Sequence, residues 1–168
     1  LIEATGDDAK AFLHSQFTSD INHLASDQVQ HSAWCTAKGR MQASFLAWRE
    51  GDLFRLAIAG DLEAASLKRL QMFVLRSKVK LASLTESHLL LGLAGPQAAA
   101  ALGDAGLPCP GAPMTSAISG GVNAAAWVQR TLFQNQDCPT SETSPAAAIG
   151  AVAVRITRAA ARVSMTTR

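Results

Sequence analysis

Residues 41–59 read MQASFLAWREGDLFRLAIA. Two apolar runs, 41–48 and 53–59, flank the polar quartet Arg49-Glu50-Gly51-Asp52. Gly and Asp between strand-like runs are turn chemistry, so the runs are expected to pair as an antiparallel β-hairpin. On both sides of this hairpin the spacing turns helical. Downstream, Asp61 offers a helix cap, and Leu62, Ala65, Leu70, Phe73 and Val74 recur as the inner stripe of a helix ending near Arg76. Upstream, LIEATG at 1–6 reads as a short strand, and Thr5 or Asp7 can cap the helix after it. Asp7 and Asp8 suit the positive end of that helix dipole. Ala9, Phe12, Leu13 and Phe17 give it one apolar face, Thr18-Ser19-Asp20 interrupts the pattern, and Ile21 and Leu24 resume it for a turn.

Beyond Arg76, KVKLAS at 78–83 alternates as a strand and HLLLGLAG at 88–95 reads as a fully buried one. Pro96 fits the first position of a third helix, PQAAAALGDA. A Pro- and Gly-rich loop covers 106–113. A second hairpin follows at 114–128, with Gly120-Gly121 as a two-residue turn. The order is hairpin, helix, strand, then strand, helix, hairpin: an α+β domain of antiparallel hairpins with helices packed on one side of the sheet.

Residues 1–130 form this domain. After Arg130 the character changes: residues 131–168 hold one aromatic, Phe133, no lysine, a Ser/Thr/Pro cluster and four arginines spaced among alanines. Three readings stand for this atypical tail: a linker with a weak helix, a disordered segment, or a stretch translated out of the native frame.

The net charge of +2 implies no broad field for nucleic acid. The longest apolar runs fall well short of the roughly 20 residues of a membrane span. No signal peptide is visible ahead of the Leu1 strand. Cys35, Cys109 and Cys138 form no C-x-x-C pair, which points to isolated thiols in a reducing cytosol. The four histidines share no ligand spacing, and no metal site is assigned.

Lys38-Gly39-Arg40 puts two cations around a residue of wide backbone freedom, just before the 41–48 strand. It is either a clamp for phosphate or carboxylate, with Arg40 the bidentate partner, or a basic turn in solvent. Arg76, Lys78 and Lys80 are read as the wet face of a strand rather than an RNA contact.

Four blocks in this order, GDDAKAFLHSQFTSDINHL (6–24), CTAKGRMQASFLAWREGD (35–52), LKRLQMFVLRSKVKL (67–81) and LLGLAGPQAAAAL (90–102), resemble the YgfZ/GcvT superfamily. The likeness is nearer to the YgfZ-type folate-binding proteins, over their N-terminal part. It implies their folate-binding fold, a cytoplasmic location (mitochondrial in eukaryotes), tetrahydrofolate or a derivative as ligand, and a role supporting iron–sulfur enzymes and tRNA modification. It also draws Lys38, Arg40, Gln16, Thr18 and Asp20 into the set expected to contact folate, and makes Trp34 and Trp48 candidates to stack on a pterin ring.

Two departures qualify the resemblance. The related glycine-cleavage T proteins, folate-dependent aminomethyltransferases, carry an acidic pair after the glycine. Aligning that glycine with Gly39 puts Ala43 and Ser44 there, and neither can serve as an acid or base. No catalytic residue is therefore assigned, and aminomethyl transfer is the alternative function. The Lys-Gly-Cys-Tyr-x-Gly-Gln-Glu stretch of the YgfZ branch is absent, and the chain has no tyrosine. A fragment that keeps the fold without the function is the second alternative.

Overall fold

The computed structural model describes residues 1–93, 97–119, 122–126 and 152–157. In chain order the elements are β1 (Ile2–Thr5), α1 (Ala9–Gln16), β2 (Val29–Cys35), β3 (Met41–Glu50), β4 (Leu53–Ile58), α2 (Gly60–Val74), β5 (Lys80–Ser83), β6 (His88–Leu93), α3 (Ala98–Asp104), β7 (Ser116–Ser119), β8 (Val122–Ala126) and β9 (Val152–Thr157). They build two antiparallel sheets with strand orders β2-β3-β4-β1-β5 and β6-β9-β8-β7.

The 41–59 hairpin forms as its sequence dictates. Glu50 pairs with Leu53 across a turn in which Gly51 adopts φ +60°. Alternation along β3 and β4 sends Ala43, Phe45, Ala47, Phe54 and Leu56 to one face, where they bury against Phe12 and Leu13 of α1 and Leu70 of α2. Each large side chain buried there contributes about 1.5–3 kcal/mol. The opposite face carries Val29 and Trp48, which pack against Ala125 of β8. On the far side of β8, Val122 and Ala124 bury Leu102 of α3. The helices thus lie on one side of each sheet, and the sheets face each other.

Several local expectations give way to the packing. β2 has no clear signature in the sequence, because Gln30, His31 and Ser32 blur its alternation. Neither Thr5 nor Asp7 caps α1; Asp8 occupies the cap position, and its Oδ2 accepts from the backbone N–H of Lys78 at 2.7 Å. Asp61 lies in the first turn of α2 and the cap position is Ala59, without a side-chain hydrogen bond. The inner stripe of α2 is Glu63, Ser66 and Leu70, with Leu67 and Val74 alongside, while Leu62, Ala65 and Phe73 face outward. Glu63 is tolerated inside because Ser83, Thr85 and Leu1 donate to it. β6 is not buried: Leu89, Leu90 and Leu91 are all exposed on this edge strand. The second hairpin pairs Ser119 with Val122; its Gly120-Gly121 turn and Pro96 lie outside the described residues. Within the tail, residues 152–157 are a strand, inserted between β6 and β8, rather than helix. The rest of 131–168 lies outside the described residues.

Candidate functional site

The sheet edge at β2 organises the residues in question. Phe17 forms a bridge with Trp34, and the Thr18 N–H donates to the Ala33 carbonyl at 3.0 Å. The Ala33 N–H returns a bond to Thr18 Oγ1 at 3.1 Å. The end of α1 is thereby stitched along β2, which satisfies edge groups that would otherwise stay unpaired. Thr18 is exposed but engaged in this stitch. Gln16, at the last position of α1, bonds Ser15 Oγ at 3.3 Å.

Asp20 lies just beyond the stitch. Its Oδ1 accepts from the Asn22 N–H at 2.9 Å, His23 Nδ1 is 2.6 Å from Oδ2, and His14 Nδ1 is 3.4 Å from Oδ1. The hydrogen bond with His23 holds its carboxyl below the ordinary value. Sequence reasoning missed this pair of imidazoles, since His14 and His23 meet only through the turn that Asp20 builds. Among the described residues no group of three or more His, Cys, Asp and Glu is placed to hold a metal ion.

Lys38, Gly39 and Arg40 form the tip of the β2–β3 hairpin. The Thr36 N–H donates to the Arg40 carbonyl at 2.8 Å, the Gly39 N–H to the Thr36 carbonyl at 2.8 Å, and the Arg40 N–H to Thr36 Oγ1 at 3.1 Å. Gly39 takes φ +76°, which explains the glycine, and open space surrounds the position a Cβ would occupy. Both cations are exposed, and neither makes an ion pair among the described residues. The tip therefore presents two exposed positive charges with backbone geometry fixed beneath them. Gln16 ends α1, Thr18 runs beside Ala33 and Asp20 beside Gln30, and the described residues show no hydrogen bond or ion pair joining them to Lys38 or Arg40.

The tryptophans belong to the cores. Trp34 is 5% exposed; Phe73 packs edge-on to it with centroids 6.1 Å apart, and the Arg69 guanidinium lies 5.7 Å from its ring centroid. Trp48 is 2% exposed, and its Nε1 donates to Glu50 at 3.0 Å. Neither ring offers a free face to a pterin in this arrangement. Ala43 is buried opposite Trp34, and Ser44 is exposed, so no carboxylate stands at either position.

Two further clusters form only in the folded chain. Buried Arg55 ion-pairs with Glu3 and lies 3.6 Å from Glu50, which also accepts from Asn123 at 2.8 Å. An arginine inside the apolar strand LFRLAI was the available signal, because a buried cation requires carboxylates. Glu63 forms the second cluster. Burial pushes its carboxyl up, but hydrogen bonds from Ser83, Thr85 and the Leu1 nitrogen outweigh this and hold it below its ordinary value. A cavity of about 400 Å³ adjoins it, lined in part by Lys68 and Gln71. Another of about 310 Å³ lies between Lys10 and Arg49. None of the five sequence candidates lines either cavity.

Comparison with known proteins agrees with this architecture. The GCVT N-terminal domain family matches residues 1–109. The tRNA-modifying protein YgfZ of Shigella sonnei (strain Ss046) is 36% identical over 102 residues, covering 61% of this chain and 31% of that protein. The protein of the same name from Escherichia coli (strain K12) is 35% identical over 102 residues, with the same coverage. The chain thus spans 31% of the length of these curated relatives. The crystal structure of glycine cleavage system aminomethyltransferase T from Bartonella henselae matches with a TM-score of 0.72 at 19% identity, covering 93% of this chain and 39% of that one. At that identity the likeness establishes the fold. Matched over residues 1–109 of 168, and sharing its architecture with an aminomethyltransferase and its sequence with YgfZ proteins, the chain belongs to the GCVT N-terminal domain family of the YgfZ/GcvT superfamily.

Proposed function

We propose that the chain is the N-terminal part of a cytoplasmic folate-binding accessory protein that supports iron–sulfur enzymes and tRNA modification. The observation that carries this reading is the absence of any carboxylate at Ala43 and Ser44 in a chain 35–36% identical to proteins named tRNA-modifying protein YgfZ. A GcvT-like fold without the acid/base group favours binding over aminomethyl transfer. In this reading Arg40 and Lys38 take the glutamate carboxylates of tetrahydrofolate or a derivative. Gln16, Thr18 and Asp20 supply polar contacts along the β2 edge. Asp20, held as a carboxylate by His23, suits a donor such as a pterin amine.

Calorimetric titration of tetrahydrofolate into the chain and into Arg40→Ala tests the site. A charge-assisted contact worth about 1.5–3 kcal/mol predicts a ten- to hundredfold weaker affinity in the variant, roughly. Equal affinities with both proteins folded, or no binding by either, would overturn the assignment to this turn.

A further inference from the structure

The middle of the second sheet is filled from a distance. β6 and β8 each pair with β9 and not with each other, so β9 occupies a slot between them. β6, α3, β7 and β8 all come from residues 88–126, whereas residues 127–151 separate β8 from β9. The walls of the slot have footings of their own: Val122 and Ala124 bury Leu102 of α3, and Ala125 packs with Val29 and Trp48. The β6 wall is thinly packed, with Leu89 47% and Leu91 43% exposed. Such a wall can open without unfolding the sheet opposite.

The register states what the slot selects. Ile156 stands between Leu89 and Val122, and Val154 between Leu91 and Ala124. Directly paired positions share a face, so an occupant needs apolar residues at these alternate places. The place between them differs. Position 155 pairs with Asn123, which is 3% exposed. Asn123 Nδ2 donates to Glu50 Oε1 at 2.8 Å, and its Oδ1 has no partner among the described residues. A buried acceptor left open is costly, so the slot calls for a side-chain donor opposite Asn123. The segment that fills it reads Val154-Arg155-Ile156. We infer that the space between β6 and β8 is a strand-receiving site with residues 152–157 as its separable ligand. It recognises an extended segment by main-chain pairing on both flanks, by alternate apolar residues and by one donor between them. The same site takes such a segment in trans. The inference goes beyond folate binding and does not depend on it.

The probe is a labelled peptide of residues 150–159, GAVAVRITRA. In the full chain, Val154→Pro removes a backbone donor from the centre of β9 and should empty the slot, while near-ultraviolet circular dichroism still reports a folded core. Fluorescence anisotropy should show this variant binding the peptide at least about tenfold tighter than the unaltered chain does, because a tethered strand competes at an effective concentration of about millimolar. A scrambled peptide, and one carrying Arg155→Leu, should each bind at least about tenfold more weakly than the parent. In the unaltered chain, hydrogen exchange at Leu89–Leu93 should be faster than at the paired amides of β3 and β4. A folded Val154→Pro chain that ignores the peptide, or binds the scrambled one equally, overturns the proposal. So does a Val154→Pro chain that unfolds throughout, or exchange at β6 as slow as in β3 and β4, since the strand is then part of the core rather than its ligand. Equal binding of the Arg155→Leu peptide overturns the role given to Asn123.

Discussion

Glu3 and Arg55 stand opposite each other in the β1–β4 register and form an ion pair within the five-stranded sheet. Arg55 is 4% exposed, and Glu50 approaches it from the neighbouring strand. Truncating the cation would leave two partly buried carboxylates without their shared counter-charge. Arg55→Ala is expected to lower the unfolding free energy by about 3–5 kcal/mol, measured by urea denaturation. Replacing Glu3 and Arg55 together with apolar residues of similar volume should recover much of that loss, because Glu50 keeps its bonds from Trp48 and Asn123. A single variant as stable as wild type would refute the account of this cluster.

Glu63 predicts an acid limb. Its folded-state carboxyl titrates below its unfolded value, so its stabilising contribution is complete above the unfolded value and disappears as pH falls through the folded one. Stability should therefore decline on the acidic side of the ordinary carboxylate range. Glu63→Gln should flatten that decline while lowering stability near neutrality. Parallel pH profiles for both proteins, from denaturant unfolding, would contradict it.

Two glycines separate backbone strain from crowding. A Cβ at Gly39 meets open space, so Gly39→Ala should cost only the left-handed penalty of about 1–2 kcal/mol, and Gly39→Asn less. Gly6 adopts φ +116°, and its Cβ would collide with the Lys78 carbonyl. Gly6→Ala should shift the thermal midpoint down by clearly more than Gly39→Ala. The reverse order would be inconsistent with both geometries.

Ala43 and Ser44 predict no aminomethyl transfer. With aminomethylated lipoyl carrier and tetrahydrofolate, the chain should produce methylene-tetrahydrofolate at the uncatalysed rate. Turnover well above that rate would mean a carboxylate elsewhere serves the chemistry.

The sequence carried most of the first sheet's helical side and little of its edges. The hairpin at Arg49–Asp52 and the apolar face of α1 were legible because turn residues and helical spacing agree there. β2 was hidden by Gln30 and His31, half-exposed or exposed residues on a strand that α1 and its following turn partly cover. The stripe of α2 is hard to place because its apolar residues divide between two faces, and Glu63 holds a place on the inner one through partners some 20 residues away. Leu89–Leu91 looked like a core strand, since periodicity distinguishes apolar from polar positions and not inside from outside. At the candidate site, Lys38 and Arg40 were visible as a motif. The engagement of Thr18 with Ala33 and of Asp20 with two histidines depends on contacts that no spacing reveals.

β1 lies between β4 and β5, not at an edge. Its two partner segments, residues 54–56 and 80–83, both lie far downstream, so β1 has no neighbour until the chain has come back to it twice. The β2–β3–β4 meander can assemble alone beforehand, and β1 must then be captured onto its exposed flank. The sheet closes late, through a long loop closure that slows folding. Until then Ile2 and Ala4, buried in the finished sheet, stay in contact with water.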